Sequence, residues 1–341
     1  MNPLNRERYL GVAYLVIATG LVTGAFVWLA FEQNFMTFTF GFILGSLVAV
    51  LFVLYNENLK PLFSKLNLFL SLFINFVIYL FIILFASFGV MTLLYGIDFH
   101  MVFDNFIIIL LHENMIYGYV FGVTISLLFN FNSLFNTLLG RNFLLNILIG
   151  KYKKPFQEER AFMFIDLKSS TTIAEDIGHE KYLLLLNDFF LDLAEPVLKS
   201  KGEIYKYVGD EAIITWRYSR IRGSVRPLDC YFQFEEKIDK NAKHYLKNYH
   251  TIPSFKAGLH GGKVVAGEMG QIKKEIAFIG DVLNTTSRIE ASCNEFGVDL
   301  LVSGEILEIL DLSGKYQPSA LGEVIFRGKS SSTEIFTINK I

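Results

Sequence analysis

Phe164-Ile165-Asp166-Leu167-Lys168-Ser169-Ser170-Thr171 carries an apolar run onto a carboxylate and then breaks into small hydroxyl residues. The apolar residues predict a strand over Arg160–Asp166, and the serines and threonine predict the opening of a helix. Backbone N–H groups at a helix opening can cradle phosphates, while a carboxylate at a strand end can hold a hard cation. A plain helix N-cap would use the same residue types, so this stretch needs companions before it means chemistry.

Two companions lie downstream. Tyr205-Lys206-Tyr207-Val208-Gly209-Asp210-Glu211 predicts a hairpin, with strands over Glu203–Val208 and Ala212–Trp216 and Gly209-Asp210 at its tip. Two aspartates at the ends of adjacent strands suit two divalent cations, because Mg²⁺ takes one or two carboxylates plus substrate phosphates. The second companion is Gly280-Asp281-Val282-Leu283-Asn284-Thr285-Thr286-Ser287-Arg288. Asn284 and Arg288 stand four apart and share one helical face. An amide there can orient a ribose, and a guanidinium can hold a phosphate that gains charge.

Around these stretches the polar half predicts helices over His179–Leu198 and Asp229–Tyr249. Further strands are predicted within Phe255–Gly267, Glu275–Ile279 and Val324–Ile338, and Asp281–Phe296 begins as a helix. Strands alternating with helices make an α+β layout.

The first 140 residues are of another kind. Hydrophobic residues make up 52% of the chain and Phe alone occurs 34 times, more than a soluble core requires. Tyr9–Phe31, Phe35–Tyr55, Leu66–Ile97 and Asn114–Gly140 carry no charge, and each is long enough to span a bilayer, so a four-helix membrane region is expected. The first run is too long for a signal-peptide core and is read as a retained span. Arg6, Arg8, Lys60, Lys65, Arg141, Lys151, Lys153 and Lys154 fall on one side of these spans. Glu32, Asp98, Asp104 and Glu113 fall on the other, which places both termini in the cytoplasm. The basic group after the fourth span also suits anionic membrane lipid. Gly20, Gly24, Gly41 and Gly45 are spaced for close helix packing. Leu144, Leu145, Leu148 and Ile149 predict a short connector helix, so the expected units are 1–140, a connector 141–155, and a cytoplasmic domain 156–341.

A net charge of −2 argues against a nucleic-acid binder. Cys230 and Cys293 fit no disulfide framework or metal spacing and are read as reduced thiols. His179, His244, His250 and His260 also lack metal spacing.

The three stretches, in this order, resemble the class III nucleotide cyclase domain, the family of adenylyl and guanylyl cyclases. The resemblance runs from about Phe156 to Ile341, and Gly280–Arg288 follows the family's Gly-Asp-x-x-Asn-x-x-x-Arg signature. It implies a ferredoxin-like α+β fold and assigns Asp166 and Asp210 as metal ligands, joined by the carbonyl of Leu167. Ser169, Ser170 and Thr171 match the phosphate-cradling turn. Lys206 matches the lysine with which adenylyl cyclases read adenine, and Asn284 and Arg288 match the transition-state pair. Arg327 stands where the family places a triphosphate-binding lysine, with Lys329 as a competitor. The family's second base-reading position falls on Ala277, which has no polar side chain. The implied reaction is conversion of ATP to 3′,5′-cyclic AMP and pyrophosphate, with two divalent cations (Mg²⁺ or Mn²⁺), in a homodimer at the inner (plasma) membrane. Guanylate cyclase, with GTP as substrate, and a non-catalytic nucleotide-binding membrane receptor stand as alternatives.

Overall fold

The computed structural model of the chain describes residues 3–30, 35–59, 68–95, 120, 122, 124, 150–272, 274–312, 314–326 and 332–341. The chain divides into two compact units, Met1–Leu138 and Leu139–Ile341.

In the first unit, α1 (Pro3–Ala30), α2 (Phe35–Asn58) and α3 (Leu68–Tyr95) are continuous helices. Within them Val12–Leu29, Phe35–Asn56 and Phe73–Val90 are long and apolar enough to cross a membrane. The fourth expected span lies almost wholly outside the described residues; Val120, Gly122 and Thr124 are helical. The glycine pattern has a physical role here. A Cβ on Gly41 would come 2.8 Å from the Thr23 carbonyl oxygen and 2.9 Å from the Gly24 Cα, so α1 and α2 touch backbone to backbone. Between α2 and α3 the buried Tyr55 hydroxyl donates to Asn75 Oδ1, and the Tyr79 ring stands edge-on to Tyr55 at 5.5 Å.

In the second unit, residues 150–154 form a turn, and Tyr152 is already part of the fold: its ring is buried and its carbonyl accepts the Glu268 N–H at 2.9 Å. The connector residues before 150 lie outside the described residues. The elements then run β1 (Phe156–Leu167), α4 (Ser170–Ile177), α5 (His179–Lys199), β2 (Glu203–Val208), β3 (Glu211–Arg217), α6 (Arg226–Lys240), α7 (Ala242–Tyr249), β4 (Phe255–Met269), β5 (Glu275–Ile279), α8 (Asp281–Ala291), β6 (Leu300–Ser303), β7 (Tyr316–Val324) and β8 (Thr333–Lys340). Among the described residues the strands form one mixed sheet, ordered β2-β3-β1-β4-β6-β8-β7, with β5 pairing the far end of β4.

β1 is central and buried on both faces, which is why it reads as a continuous apolar run. Ala161, Met163, Ile165 and Leu167 face α5 and α6, which contribute Leu185, Phe189, Leu193, Leu228, Phe234 and Ile238 at helical spacing. Phe162 and Phe164 face the opposite way, onto Ile213, Val264, Phe278 and Val282.

One expectation is corrected. Asp229–Tyr249 is not a single helix: α6 starts at Arg226, with Pro227 in its first turn, and the helix breaks at Asn241 before α7. The Asn241 amide turns to α5 and bonds both Asp192 carboxylate oxygens at 2.7 and 2.9 Å, which pins the break.

α8 lies across β4 at Gly258. A Cβ there would collide with the backbone of Glu290, meeting its Cα at 2.8 Å, so only glycine lets the helix seat.

Candidate active site

Register sets the site. On β1, Asp166 pairs with Glu211 of β3 on one side and with Lys256 of β4 on the other. This places an acid, an acid and a base in one row across three strands. The β2–β3 hairpin closes with Val208 opposite Glu211, so Asp210 stands at its tip, beside that row, with Gly209 supplying the positive φ of 65°.

The electrostatics are those of crowded carboxylates. Burial first, then the charge of Asp210, pushes the Asp166 carboxyl above its ordinary range, and Lys256 pulls it back. Glu211 is pushed up to about 7 by burial, with Glu290, Asp166 and Asp210 adding repulsion. Burial also raises Glu290, against the pull of Lys256. The Lys256 ammonium lies 3.5 Å from Asp166 Oδ2 and 2.9 Å from Glu290 Oε1, so it pairs with both carboxylates. Lys256, Glu211 and Glu290 carry no motif that marks them in the sequence. Their signal is the strand register, which a sequence read alone does not supply.

A divalent cation fits this acid-rich end, because it would relieve the repulsion between Asp166 and Asp210. Among the described residues no three His, Cys, Asp or Glu side chains are grouped as a metal cage. A cation held there by Asp166, Asp210 and the Leu167 carbonyl would take its remaining ligands from phosphate and water.

Past Leu167 the chain turns sharply. Ser169 sits in the left-handed region (φ 54°, ψ 31°), and no side chain caps α4, which opens at Ser170 and Thr171. A left-handed non-glycine residue beside uncapped helix N–H groups is a strained turn of the kind that holds anions. Lys168 points elsewhere, its ammonium paired with Asp299.

On α8, Asn284 is exposed and Arg288 part-exposed, and neither side chain makes a hydrogen bond or ion pair among the described residues. Glu290 follows Arg288 by two residues, about 200° around the helix. Since Glu290 faces Lys256 and the acidic row, Arg288 faces away from its own chain's aspartates. Lys206 on β2 is paired with Glu275 of β5 at 2.7 Å, and Ala277 lies two residues further along β5, buried. Arg327 and Lys329 lie outside the described residues. His260 bonds Ser303 at 2.7 Å and His244 bonds Asp188 at 2.7 Å, both as packing contacts away from the acidic row.

The structure thus brings Asp166, Asp210 and the Ser169–Thr171 turn together, and it keeps Asn284 and Arg288 on a separate face. Compared with known proteins, residues 152–340 match the adenylate and guanylate cyclase catalytic domain. Adenylate cyclase 2 of Rhizobium meliloti (strain 1021) is 38% identical over 201 residues, which cover 59% of this chain and 55% of that protein. Adenylate cyclase 1 of the same organism is 26% identical over 191 residues, covering 54% and 28% respectively. The chain therefore spans about half the length of the first relative and less of the second. A solved bacterial light-regulated adenylyl cyclase shares the fold at a TM-score of 0.55 and 17% identity, over 64% of each chain. By the match over more than half its length, the chain belongs to the family of adenylate and guanylate cyclase catalytic domains.

Proposed function

We propose that this protein is a membrane-anchored adenylate cyclase that converts ATP to 3′,5′-cyclic AMP and pyrophosphate in a homodimer. Four spans precede one cytoplasmic catalytic domain (156–341), with both termini on the cytoplasmic side. The observation that carries the reading is the opposition on α8: Glu290 turned to the aspartates of its own chain, Arg288 turned away from them. A site that needs both groups is then completed by a second copy, with Asp166 and Asp210 from one protomer and Lys206, Asn284 and Arg288 from its twin.

Two divalent cations, Mg²⁺ or Mn²⁺, when held by Asp166, Asp210 and the Leu167 carbonyl, would polarise the phosphates and acidify the ribose 3′-hydroxyl. The chain's own residues do the rest. The turn at Ser169, Ser170 and Thr171 offers backbone N–H groups to the phosphates. Arg327, or Lys329 beside it, adds positive charge at the triphosphate. Asn284 orients the ribose so that its 3′-oxygen lies in line with the α-phosphate. Arg288 stabilises the charge that grows on that phosphate as pyrophosphate leaves. Lys206 reads the purine. Ala277, which offers the base no polar side chain, is the observation that keeps GTP as the second reading.

The test is the purified full chain in detergent, given ATP or GTP with Mg²⁺ or Mn²⁺, and the cyclic product identified by mass. Cyclic AMP from ATP is expected. Cyclic GMP alone, or no cyclic product from either nucleotide, overturns the reading.

A further inference from the structure

Lys206 is not a loose side chain. Strand β2 carries a bulge: Ile204 pairs with Ile214 and Lys206 with Ile213, so Tyr205 is the extra residue between them. Tyr205 leans across the sheet face onto an aromatic cluster, edge-on to Phe278 at 5.0 Å and to Phe162 at 6.4 Å, and its hydroxyl accepts the Phe278 N–H at 3.4 Å. This packing draws β5 against β2, although no strand ladder joins the two. Lys206 Nζ then reaches Glu275 Oε2 at 2.7 Å, across 69 residues of sequence. Ile276 and Phe278 join the apolar cluster, so the alternation of β5 puts Glu275 and Ala277 together on its other face. The Lys206 and Glu275 side chains are 39% and 32% exposed, so the pair is held in place and still open to a ligand.

We propose that Glu275 positions Lys206 beside the purine and supplies the hydrogen-bond acceptor that Ala277 lacks, making it a specificity-determining residue of this site. The inference rests on the reading above that Lys206 faces the base. An ammonium locked beside a carboxylate presents a donor and an acceptor in a fixed order. From position 6 to position 1, adenine offers an amine donor and then a ring-nitrogen acceptor. Guanine offers a carbonyl acceptor and then a ring N–H donor. One fixed order therefore matches one purine and leaves polar groups unpaired against the other. The hydrogen bond that Lys206 donates to Glu275 also raises the pKa of the ammonium and keeps it protonated, with burial pulling more weakly the other way.

The experiment uses the full chain in detergent, with ATP and GTP competing and both cyclic products quantified by mass. E275Q keeps the shape and exchanges half of the acceptor for a donor. The ratio of kcat/KM for ATP over GTP is expected to fall about tenfold, and adding Ala277→Asp in the same chain is expected to restore most of it. Equal loss with both nucleotides, or an unchanged ratio, overturns the proposal and leaves the cyclase reading standing. A native chain that cyclises neither nucleotide overturns both. If E275Q does not fold, A277D in the otherwise native chain carries the test: a second acceptor on that face should raise the ratio, and no change overturns the proposal.

Discussion

If Asp210 and Arg288 serve a site built from two copies, two dead variants should repair one another. Asp210→Ala removes a metal ligand from one half-site, and Arg288→Ala removes the guanidinium from the other. Each homodimer then has two broken sites. A mixed dimer has one site with both lesions and one with neither. Random assortment of equal amounts gives about one half mixed dimers, each with one working site of two, so the mixture should recover roughly a quarter of native activity. Either variant alone should lose on the order of 10²-fold or more, as removal of a charge-stabilising donor does. The assay is cyclic AMP formation after co-expression, with distinct tags on the two variants so that mixed dimers are isolated and counted. Mixed dimers no more active than the single variants would refute the two-chain site. So would an Arg288→Ala protein that keeps near-native activity.

Other outcomes follow from the packing and the charges. Gly258→Ala forces a methyl group into the Glu290 backbone. It should cost about 1–3 kcal/mol, read as a melting point lowered by roughly 2–4 °C per kcal/mol, together with lost activity as α8 shifts. Mn²⁺ at about a hundredfold excess over its dissociation constant should stabilise the protein by about 2.7 kcal/mol, and Asp210→Asn should abolish that shift in calorimetry without nucleotide. Metal-free protein should become less stable as pH rises from the ordinary glutamate range through about 7. The folded state holds a proton on Glu211 in that window that the unfolded chain has released. Glu211→Gln should flatten that slope in chelator-treated denaturant titrations. Burial pushes the thiols of Cys230 and Cys293 up to about 12. At pH 8 only about one in 10⁴ is then thiolate, so a thiol reagent should label neither until the chain unfolds.

Much of this site is readable from sequence because its residues sit at punctuation: Asp166 where an apolar run stops, Asp210 at a two-residue turn, Asn284 and Arg288 four apart behind a helix start. The apolar runs behind α1, α2 and α3 are equally plain, and the glycines that join α1 to α2 announce themselves by spacing. The features a sequence conceals depend on partners distant in the chain. Lys256 is one polar residue in a long strand until register sets it beside Asp166. β6 has only four residues, all buried, too short a run for its period to show. β7 is an edge strand that contains Pro318 and an irregularity before Gly322, and both features read as loop. The break at Asn241 is invisible without Asp192, because Asn is an ordinary residue on an exposed helix face.

β4 and β6 run parallel, so the chain cannot return by a tight turn and must travel back over the sheet. Helix α8 is part of that return journey. Its length is consequently as constrained as its chemistry: deleting one residue between Gly258's contact at Glu290 and Asn284 would rotate the amide by about 100° relative to the anchored end. Neutral drift in this segment should therefore proceed by exchange of side chains and almost never by gain or loss of a residue.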